Sequence, residues 1–304
     1  MVSRRALKAR TLRAADWLFA KTVVALVRLV RLLPARWAID FGGWASRTVG
    51  PLLPADRTGR DNLAAAYPDM PEAERRRILN GVWDNLGRTA TEFLFLDEVF
   101  DFDFENPTAG HFDVQGIEQF IEIRDSETPC IVFTAHLANW ELLPVCAATF
   151  GLDVSVLFRP LNNARLAREL DVVRGGVMGG LVPSQPGAVA ALDGILAKGG
   201  HVGILVDQRF GRGLTLPFFG QPAKTNPLLA KLARRHDCNV YAARTVRKPE
   251  GRFYMELNGP LDLPRDAEGA VDVEATTAFV NDVVEGWVRE HPEQWLWLHR
   301  RWRL

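Results

Sequence analysis

The stretch "CIVFTAHLANWE" (residues 130–141) joins an apolar run of strand length to a cluster of polar residues. Its first part, "CIVFTA", has the length and the β-branched and aromatic content of a buried strand. His136, Asn139 and Glu141 follow this run closely. A strand that ends in a histidine, an amide and a carboxylate either faces a ligand or simply ends in polar residues, and other segments decide between the two.

Two further apolar runs also end in charged or polar side chains. "DVSVLF" (153–158) leads into Arg159, and "HVGILV" (201–206) leads into Asp207 and Gln208. Because helix-like segments separate these runs, the pattern predicts an α/β fold with a single sheet covered by helices on both faces. Ligands of open α/β sheets bind at the carboxyl ends of the strands. The three strand ends therefore predict one shared site.

The rest of the chain continues this alternation of apolar runs and helical periodicity. We expect strands at 111–115, 130–135, 153–158, 180–183, 201–206, 239–245 and 252–258. We expect helices at 116–126, 140–150, 162–175, 187–198, 226–236 and 273–290, after a helical region over 57–100. Since no low-complexity linker interrupts the pattern, it predicts one α/β domain over 56–304 behind an N-terminal arm over 1–55.

Composition excludes several classes of protein and partner. With 47% hydrophobic and 24% charged residues, the chain resembles a folded, water-compatible protein more than a multispanning membrane protein. Its 37 basic and 37 acidic residues cancel, so we expect no nucleic-acid partner. The scattered Cys130, Cys146 and Cys238 form neither a disulfide framework nor a zinc motif. We therefore expect a reduced protein with no metal.

The N-terminal arm differs in charge from the rest of the chain. Residues 1–31 contain eight Lys or Arg and one acid, Asp16. On a helical wheel Arg13, Lys21, Arg28 and Arg31 fall in a stripe about 80° wide opposite an apolar face. The uncharged run between Lys21 and Arg28 is far shorter than the roughly 20 residues of a spanning helix. The arm is thus predicted to lie in the membrane interface, or alternatively to pack on the protein's own core.

The tryptophans support the membrane prediction. Seven of nine lie near the two ends of the chain: Trp17, Trp37, Trp44, Trp287, Trp295, Trp297 and Trp302. Tryptophan and arginine side chains favour the lipid headgroup layer, although a terminal element can also bury its tryptophans.

His136 and Glu141 carry the chemistry that the polar cluster predicts. On a continuous helix they would point about 140° apart, but they converge if His136 lies in the turn and Glu141 opens the helix. A carboxylate that orients a histidine fixes its tautomer and stabilises the imidazolium. Since the chain has no GxSxG motif, the proton would come from a substrate hydroxyl. The alternative is a core histidine beside a helix-start glutamate. Asp207 is either a further orienting carboxylate or a cap.

The cluster also resembles a known motif. "HLANWE" is similar to the HxxxxD/E motif of the glycerolipid acyltransferase superfamily, and most closely to its bacterial lipid A biosynthesis branch, the lauroyl/myristoyl acyltransferases. Four more blocks resemble that family in order: "GVWDNLGRTATEF" (81–93), "FRPLNN" (158–163), "DQRFGRGLTLPFFGQPAKT" (207–225) and "WLWLHRRW" (295–302). The resemblance therefore covers nearly the full chain. The phosphatidylinositol mannoside acyltransferases share much of this pattern.

The resemblance implies transfer of a fatty acyl chain from a thioester, of acyl carrier protein or coenzyme A, to a hydroxyl of a lipid A precursor. His136 would be the general base and Glu141 its orienting carboxylate, without a cofactor or a covalent acyl-enzyme. The site would face the cytoplasmic side of a bacterial inner membrane and contact membrane lipids. Other glycolipid acceptors, or a non-catalytic lipid-binding homologue, are the alternatives.

The resemblance also implies a set of substrate contacts. Arg159 is the first candidate, because a guanidinium binds phosphate in a bidentate manner. Further candidates are Arg174, Asp207, Gln208, Arg209 and Arg212, with Gly211 and Gly213 allowing backbone N–H groups to approach an anion. The remaining histidines are expected to be structural or exposed: His111, His201, His236, His291 and His299.

Overall fold

The computed structural model describes residues 17, 21–160 and 178–302, so the predicted helix over 162–175 lies outside the described residues. The strands are β1 Phe112–Gln115, β2 Cys130–Thr134, β3 Val154–Phe158, β4 Gly180–Pro183, β5 His201–Leu205, β6 Leu214–Phe218, β7 Gln221–Thr225, β8 Asn239–Arg247 and β9 Phe253–Asn258. Residues 21–30 are helical, and the α-helices that follow are α1 Ala35–Val49, α2 Pro54–Ala66, α3 Glu72–Glu92, α4 Leu96–Val99, α5 Ile117–Asp125, α6 Leu142–Thr149, α7 Ala188–Leu196, α8 Leu228–His236 and α9 Val273–Glu290.

Seven strands form one sheet in the order β1-β9-β8-β2-β5-β3-β4. Only the β8–β9 pair is antiparallel; the other neighbouring strands of this sheet run parallel. All seven predicted strands are present, and the α/β prediction is confirmed. Because β2, β5 and β3 are parallel neighbours, their carboxyl ends meet at one edge of the sheet.

Helices cover both faces of the sheet, as predicted. On one face, Ile131 and Phe133 of β2 enter a core shared with α2, α3, α7, α8 and α9. Phe133 stacks there against Trp287 of α9, with ring centroids 5.9 Å apart. On the other face, Val132 packs with Ile123 of α5 and Ala147 of α6. The alternation of side chains along β2 thus separates a dense core from the face that carries α5 and α6.

The β6–β7 hairpin was not predicted. Its turn residues Phe219 and Gly220 both have positive φ, 54° and 69°, as a two-residue type I′ turn requires. A phenylalanine in the left-handed region is rare, and Pro217 and Pro222 weaken any strand prediction from sequence. The hairpin is held to α9 by the Asn281 amide, which donates to the Pro217 carbonyl oxygen at 3.2 Å.

Helix α1 crosses α3 closely at Gly42 and Gly87. A Cβ added to Gly42 would lie only 2.9 Å from the Gly87 carbonyl oxygen, so the two helices can approach this closely only with a glycine at position 42. The opposite side of α1 exposes Trp37, Phe41 and Trp44, at 70%, 64% and 52% of their surface. Their i, i+4, i+7 spacing makes one apolar stripe. Among the described residues no helix has both the length and the apolar content to cross a bilayer. Contact of this arm with a membrane, and its end at residue 55, stay predictions.

The tryptophans of the C-terminal half do not support that prediction. Trp287, Trp295, Trp297 and Trp302 are all buried. Trp295 and Trp302 pack against Phe218 of the hairpin, with centroids 5.7 and 5.8 Å apart. Of the two alternatives, burial in the protein therefore holds for these four side chains. The unpredicted hairpin packs on Trp295, Trp297 and Trp302, and Trp287 packs on Phe133 of β2.

Candidate active site

A cavity of about 400 Å³ lies between the sheet and helices α5 and α6. Its walls are largely apolar, with side chains such as Val132 of β2, Val156 of β3 and Met255 of β9. At the carboxyl edge of the sheet the lining turns polar: His136, Glu141, Arg159, Gln208 and His299. The site predicted from three strand ends therefore opens into a long apolar space.

The carboxylate of Asp207 holds His136. Nδ1 of His136 lies 2.8 Å from Oδ1 of Asp207, and the His136 backbone N–H donates to Oδ2 at 2.9 Å. The indole of Trp295 also donates to Oδ2, at 2.8 Å. Burial raises the pKa of Asp207, but the charge and hydrogen bonds of His136 and the indole outweigh it and place the pKa at about 2. Asp207 is therefore ionised at neutral pH.

An ionised carboxylate fixes the tautomer of the imidazole. Because Asp207 can only accept, Nδ1 of His136 carries the hydrogen and Nε2 carries the lone pair. The side-chain amide of Gln208 donates to this Nε2 at 3.1 Å. The ring of Trp140 meets the imidazole edge-on, with centroids 4.9 Å apart, and so fixes its plane. The result is a base whose lone pair accepts a hydrogen bond from Gln208 at the polar end of the cavity.

Glu141 lies immediately before α6 and lines the same cavity as His136. The turn-then-helix arrangement that we predicted therefore brings both ends of "HLANWE" to one space. The carboxylate on Nδ1 of His136, however, is Asp207. Of the two readings open for Asp207, the orienting carboxylate is the one that the geometry matches.

The turn that carries His136 is held by one face of α3. The strained Ala138, with φ of 46°, directs its carbonyl oxygen to the Asn85 amide at 3.2 Å and the Thr89 hydroxyl at 3.0 Å. Asn139 donates to Oε2 of Glu92 at 3.0 Å. Asn85, Thr89 and Glu92 follow i, i+4, i+7 spacing, so they line up along α3. This spacing in "GVWDNLGRTATEF" was a signal that sequence reasoning missed.

A half-buried arginine completes this support. Arg247 of β8 makes a bidentate pair with Glu92 and also donates to Oδ1 of Asn85 at 3.1 Å. The side chain of Gln294 pairs with the main chain of Arg247 at 2.7 and 3.0 Å. The next residues of the C-terminal segment continue the contact, since the Leu296 N–H donates to the His136 carbonyl oxygen at 3.1 Å. Segments far apart in sequence thus fix one turn.

The arginines predicted to contact substrate differ in their position relative to the cavity. Arg159 follows β3, is exposed and lines the mouth of the cavity. Arg209 follows Gln208 but does not line the cavity, and Arg212 is exposed. The N–H of Gly213 donates to the Phe210 carbonyl oxygen at 2.8 Å, so it serves a turn and not an anion. Arg174 lies outside the described residues.

The thiols do not compete with His136 as the reactive group. Burial raises the pKa of both Cys130 and Cys146 to about 12, so both are protonated at neutral pH. Cys146 lines the apolar part of the cavity. In the part of the chain that the structure describes, no three His, Cys, Asp or Glu side chains are grouped to hold a metal.

The other histidines were expected to be structural or exposed. His111 pairs with Asp101, and His236 pairs with Asp193. His299, which we expected to be structural or exposed, lines the cavity beside His136.

Comparisons with known proteins identify the family of the chain. The sequence model of the bacterial lipid A biosynthesis acyltransferases matches residues 4–304. The chain is 25% identical over 256 residues to a lipid A biosynthesis lauroyltransferase of Escherichia coli (strain K12), covering 80% of this chain and 77% of that protein. It is also 25% identical over 251 residues to a lipid A biosynthesis palmitoleoyltransferase of the same organism, with 80% and 77% covered. The chain belongs to the bacterial lipid A biosynthesis acyltransferase family and is an acyltransferase.

Proposed function

We propose that this acyltransferase transfers a fatty acyl chain from the thioester of an acyl carrier protein to a hydroxyl of a lipid A precursor, with His136 as general base. The observation that carries the proposal is the imidazole held by buried Asp207 at the polar end of an apolar cavity. Family membership supports the acceptor class, and the relatives' names support a fatty acyl donor.

The cavity suits a fatty acyl chain. Its apolar part extends from the catalytic edge along β2 and β3, beneath α5 and α6. Insertion of a chain there would remove apolar surface from water at about 25 cal/mol per Å². The thioester carbon would then lie at the polar end, where Nε2 of His136 faces the cavity.

The chemistry follows from the tautomer. Gln208 now donates to Nε2 of His136, and an acceptor hydroxyl would take this place. Nε2 removes the hydroxyl proton as the oxygen attacks the thioester carbon, and Asp207 stabilises the imidazolium that forms. We retain Glu141 as a second carboxylate of the site that favours this positive charge from the cavity wall. No cofactor enters this scheme.

Arg159, at the exposed mouth, is placed to bind a phosphate of the acceptor or of the donor's prosthetic arm. Arg174, Arg209 and Arg212 remain candidates for weaker contacts. The exposed stripe of Trp37, Phe41 and Trp44, together with the basic arm, supports contact with membrane lipids. We place the enzyme on the cytoplasmic face of a bacterial inner membrane.

The test is reconstitution of the purified protein with a lipid A precursor and acyl carrier protein thioesters of several chain lengths, followed by product masses. His136→Ala should reduce transfer by at least about 100-fold, the low end for loss of a general base. The control His111→Ala, at an exposed ring that does not line the cavity, should transfer at the wild-type rate.

Three results would count against the proposal. Transfer by His136→Ala at the wild-type rate would remove His136 as the base. Transfer by the wild type to a phosphatidylinositol mannoside but not to the lipid A precursor would change the acceptor. Acceptor binding without any release of thiol would indicate a non-catalytic lipid-binding protein.

A further inference from the structure

His299 carries a buried hydrogen-bonding atom that the scheme above does not use. Its Nε2 is buried and has no hydrogen-bond partner among the residues that the structure describes. The side chain lines the cavity together with His136, Arg159 and Gln208. A buried polar atom left without a partner loses the hydrogen bonds that water would give it, so its position calls for a reason.

The imidazole is not needed to hold its own segment. The amide of Asn62, buried in α2, donates to the carbonyl oxygens of both Trp297 and His299 at 2.7 Å. Trp297 is fully buried, and its indole donates to the Pro292 carbonyl oxygen at 2.7 Å. The backbone is therefore fixed by other groups, and it presents the His299 ring to the cavity in a rigid frame.

The charges around His299 favour a neutral ring. Burial has the largest effect and lowers the pKa of His299. The charge of Asp207 raises this pKa, whereas the charges of His136, Arg301 and Arg159 lower it further. Below its ordinary value of 6.5, this pKa leaves the imidazole neutral at neutral pH. A neutral imidazole has one N–H donor, and it can polarise a carbonyl group without bringing a second positive charge beside His136.

We propose that His299 is a catalytic residue whose Nε2–H donates a hydrogen bond to the carbonyl oxygen of the acyl thioester. This rests on the proposed function. As the acceptor oxygen bonds to the carbonyl carbon, its proton passes to His136 and negative charge develops on the carbonyl oxygen. The His299 donor stabilises that charge. The carbon–sulfur bond then breaks, and the leaving thiolate takes the proton back from His136.

Three variants distinguish the effect of the hydrogen-bond donor of His299 from the effect of the shape of its ring. His299→Gln places an amide N–H near the position of Nε2, His299→Asn places one near Nδ1, and His299→Phe keeps a ring without a donor. Loss of one donor to an oxyanion lowers kcat by about 10²–10³. We expect this loss in the Phe and Asn variants with unchanged KM for donor and acceptor, and most of the wild-type kcat in the Gln variant.

His201 provides a matched control. It lies in β5, is buried, and its Nδ1 also has no partner among the described residues, but it does not line the cavity. His201→Gln and His201→Phe should leave the kcat of the folded protein unchanged even where they lower the melting temperature. The His201 variants thus show how much a loss of stability alone changes kcat, for comparison with the His299 variants.

The results that would overturn the role of His299 differ from the result that would overturn the proposed function. A wild-type kcat in His299→Phe, a loss in KM alone, or a Gln variant as slow as the Phe variant would each overturn this role for His299. Absence of transfer by the wild type to any acceptor would instead overturn the proposed function, and this inference with it.

Discussion

Two histidine–aspartate pairs in this molecule have nearly the same geometry. In the site, Asp207 accepts from Nδ1 and from the backbone N–H of His136, at 2.8 and 2.9 Å. In the loop before β1, Asp101 accepts from the same two groups of His111, at 2.6 and 2.8 Å. The side chains of the first pair are 14% and 2% exposed, and those of the second are 61% and 37% exposed.

Burial, more than geometry, makes such a pair useful for chemistry. Water competes for every hydrogen bond of the exposed pair and screens its charges. The buried Asp207 has no such competitor, so it fixes one tautomer and stabilises an imidazolium.

Asp207→Asn should have the largest effect. An asparagine amide can donate to Nδ1 of His136, which would shift the ring hydrogen to Nε2 and remove the base. Such a change lowers kcat by about 10⁴ in a comparable histidine–aspartate pair. Acyl transfer to the lipid A precursor measures it. Asp101→Asn is the matched control and should keep the wild-type kcat; equal losses in both variants would refute the contrast.

Arg247→Ala should destabilise the fold by about 3–5 kcal/mol, because it leaves Glu92 buried without its partner. The side chains of this pair are 13% and 3% exposed. Denaturant unfolding measures the change. Arg252→Ala, which breaks the more exposed pair with Asp113, should cost at most about 1 kcal/mol. Similar costs for the two variants would show that burial does not govern these ion pairs.

Acid should remove the contribution of Asp207 to stability. Its pKa of about 2 lies below its ordinary value of 3.8, so this contribution is present above 3.8 and is lost as the pH falls toward 2. It amounts to about 2 kcal/mol. The stability difference between the wild type and Asp207→Asn should narrow over that range, as measured by denaturant unfolding. A difference that is constant with pH would contradict the depressed pKa.

Asp101→Asn should have the smallest effect. An exposed pair contributes at most about 1 kcal/mol, and salt reduces the contribution further. Unfolding at low and high ionic strength measures it. The loop of His111 adjoins Phe102 and Phe104, which line the apolar part of the cavity. A destabilisation that is large and independent of salt would mean that this exposed pair behaves as a buried one.

The sequence predicted those parts of the fold that depend on local pattern. The seven strands of the main sheet and the convergence of His136, Arg159 and Gln208 followed from apolar runs and their polar ends. The orienting carboxylate was harder, since Asp207 is 71 residues from His136 and no local spacing joins them. Glu141, which is near in sequence, was therefore predicted to orient His136, and Asp207 was predicted to be either a further orienting carboxylate or a cap.

Contacts made only in three dimensions account for the other differences. The support of the turn depends on Glu92 and Arg247, which are 155 residues apart. The burial of Trp295 and Trp302 depends on a hairpin whose turn begins with a phenylalanine at positive φ. The role proposed for His299 depends on a cavity that only the folded chain forms.

Nitrogen-15 NMR of the histidine side chains shows which ring nitrogen of His136 carries the hydrogen. The signals of His136 would be assigned by their loss in His136→Gln. At neutral pH the account predicts that Nδ1 of His136 carries the hydrogen and Nε2 does not, and that Asp207→Asn reverses this. A wild-type His136 with its hydrogen on Nε2 would contradict the account, because that nitrogen could not then accept the proton of an acyl acceptor.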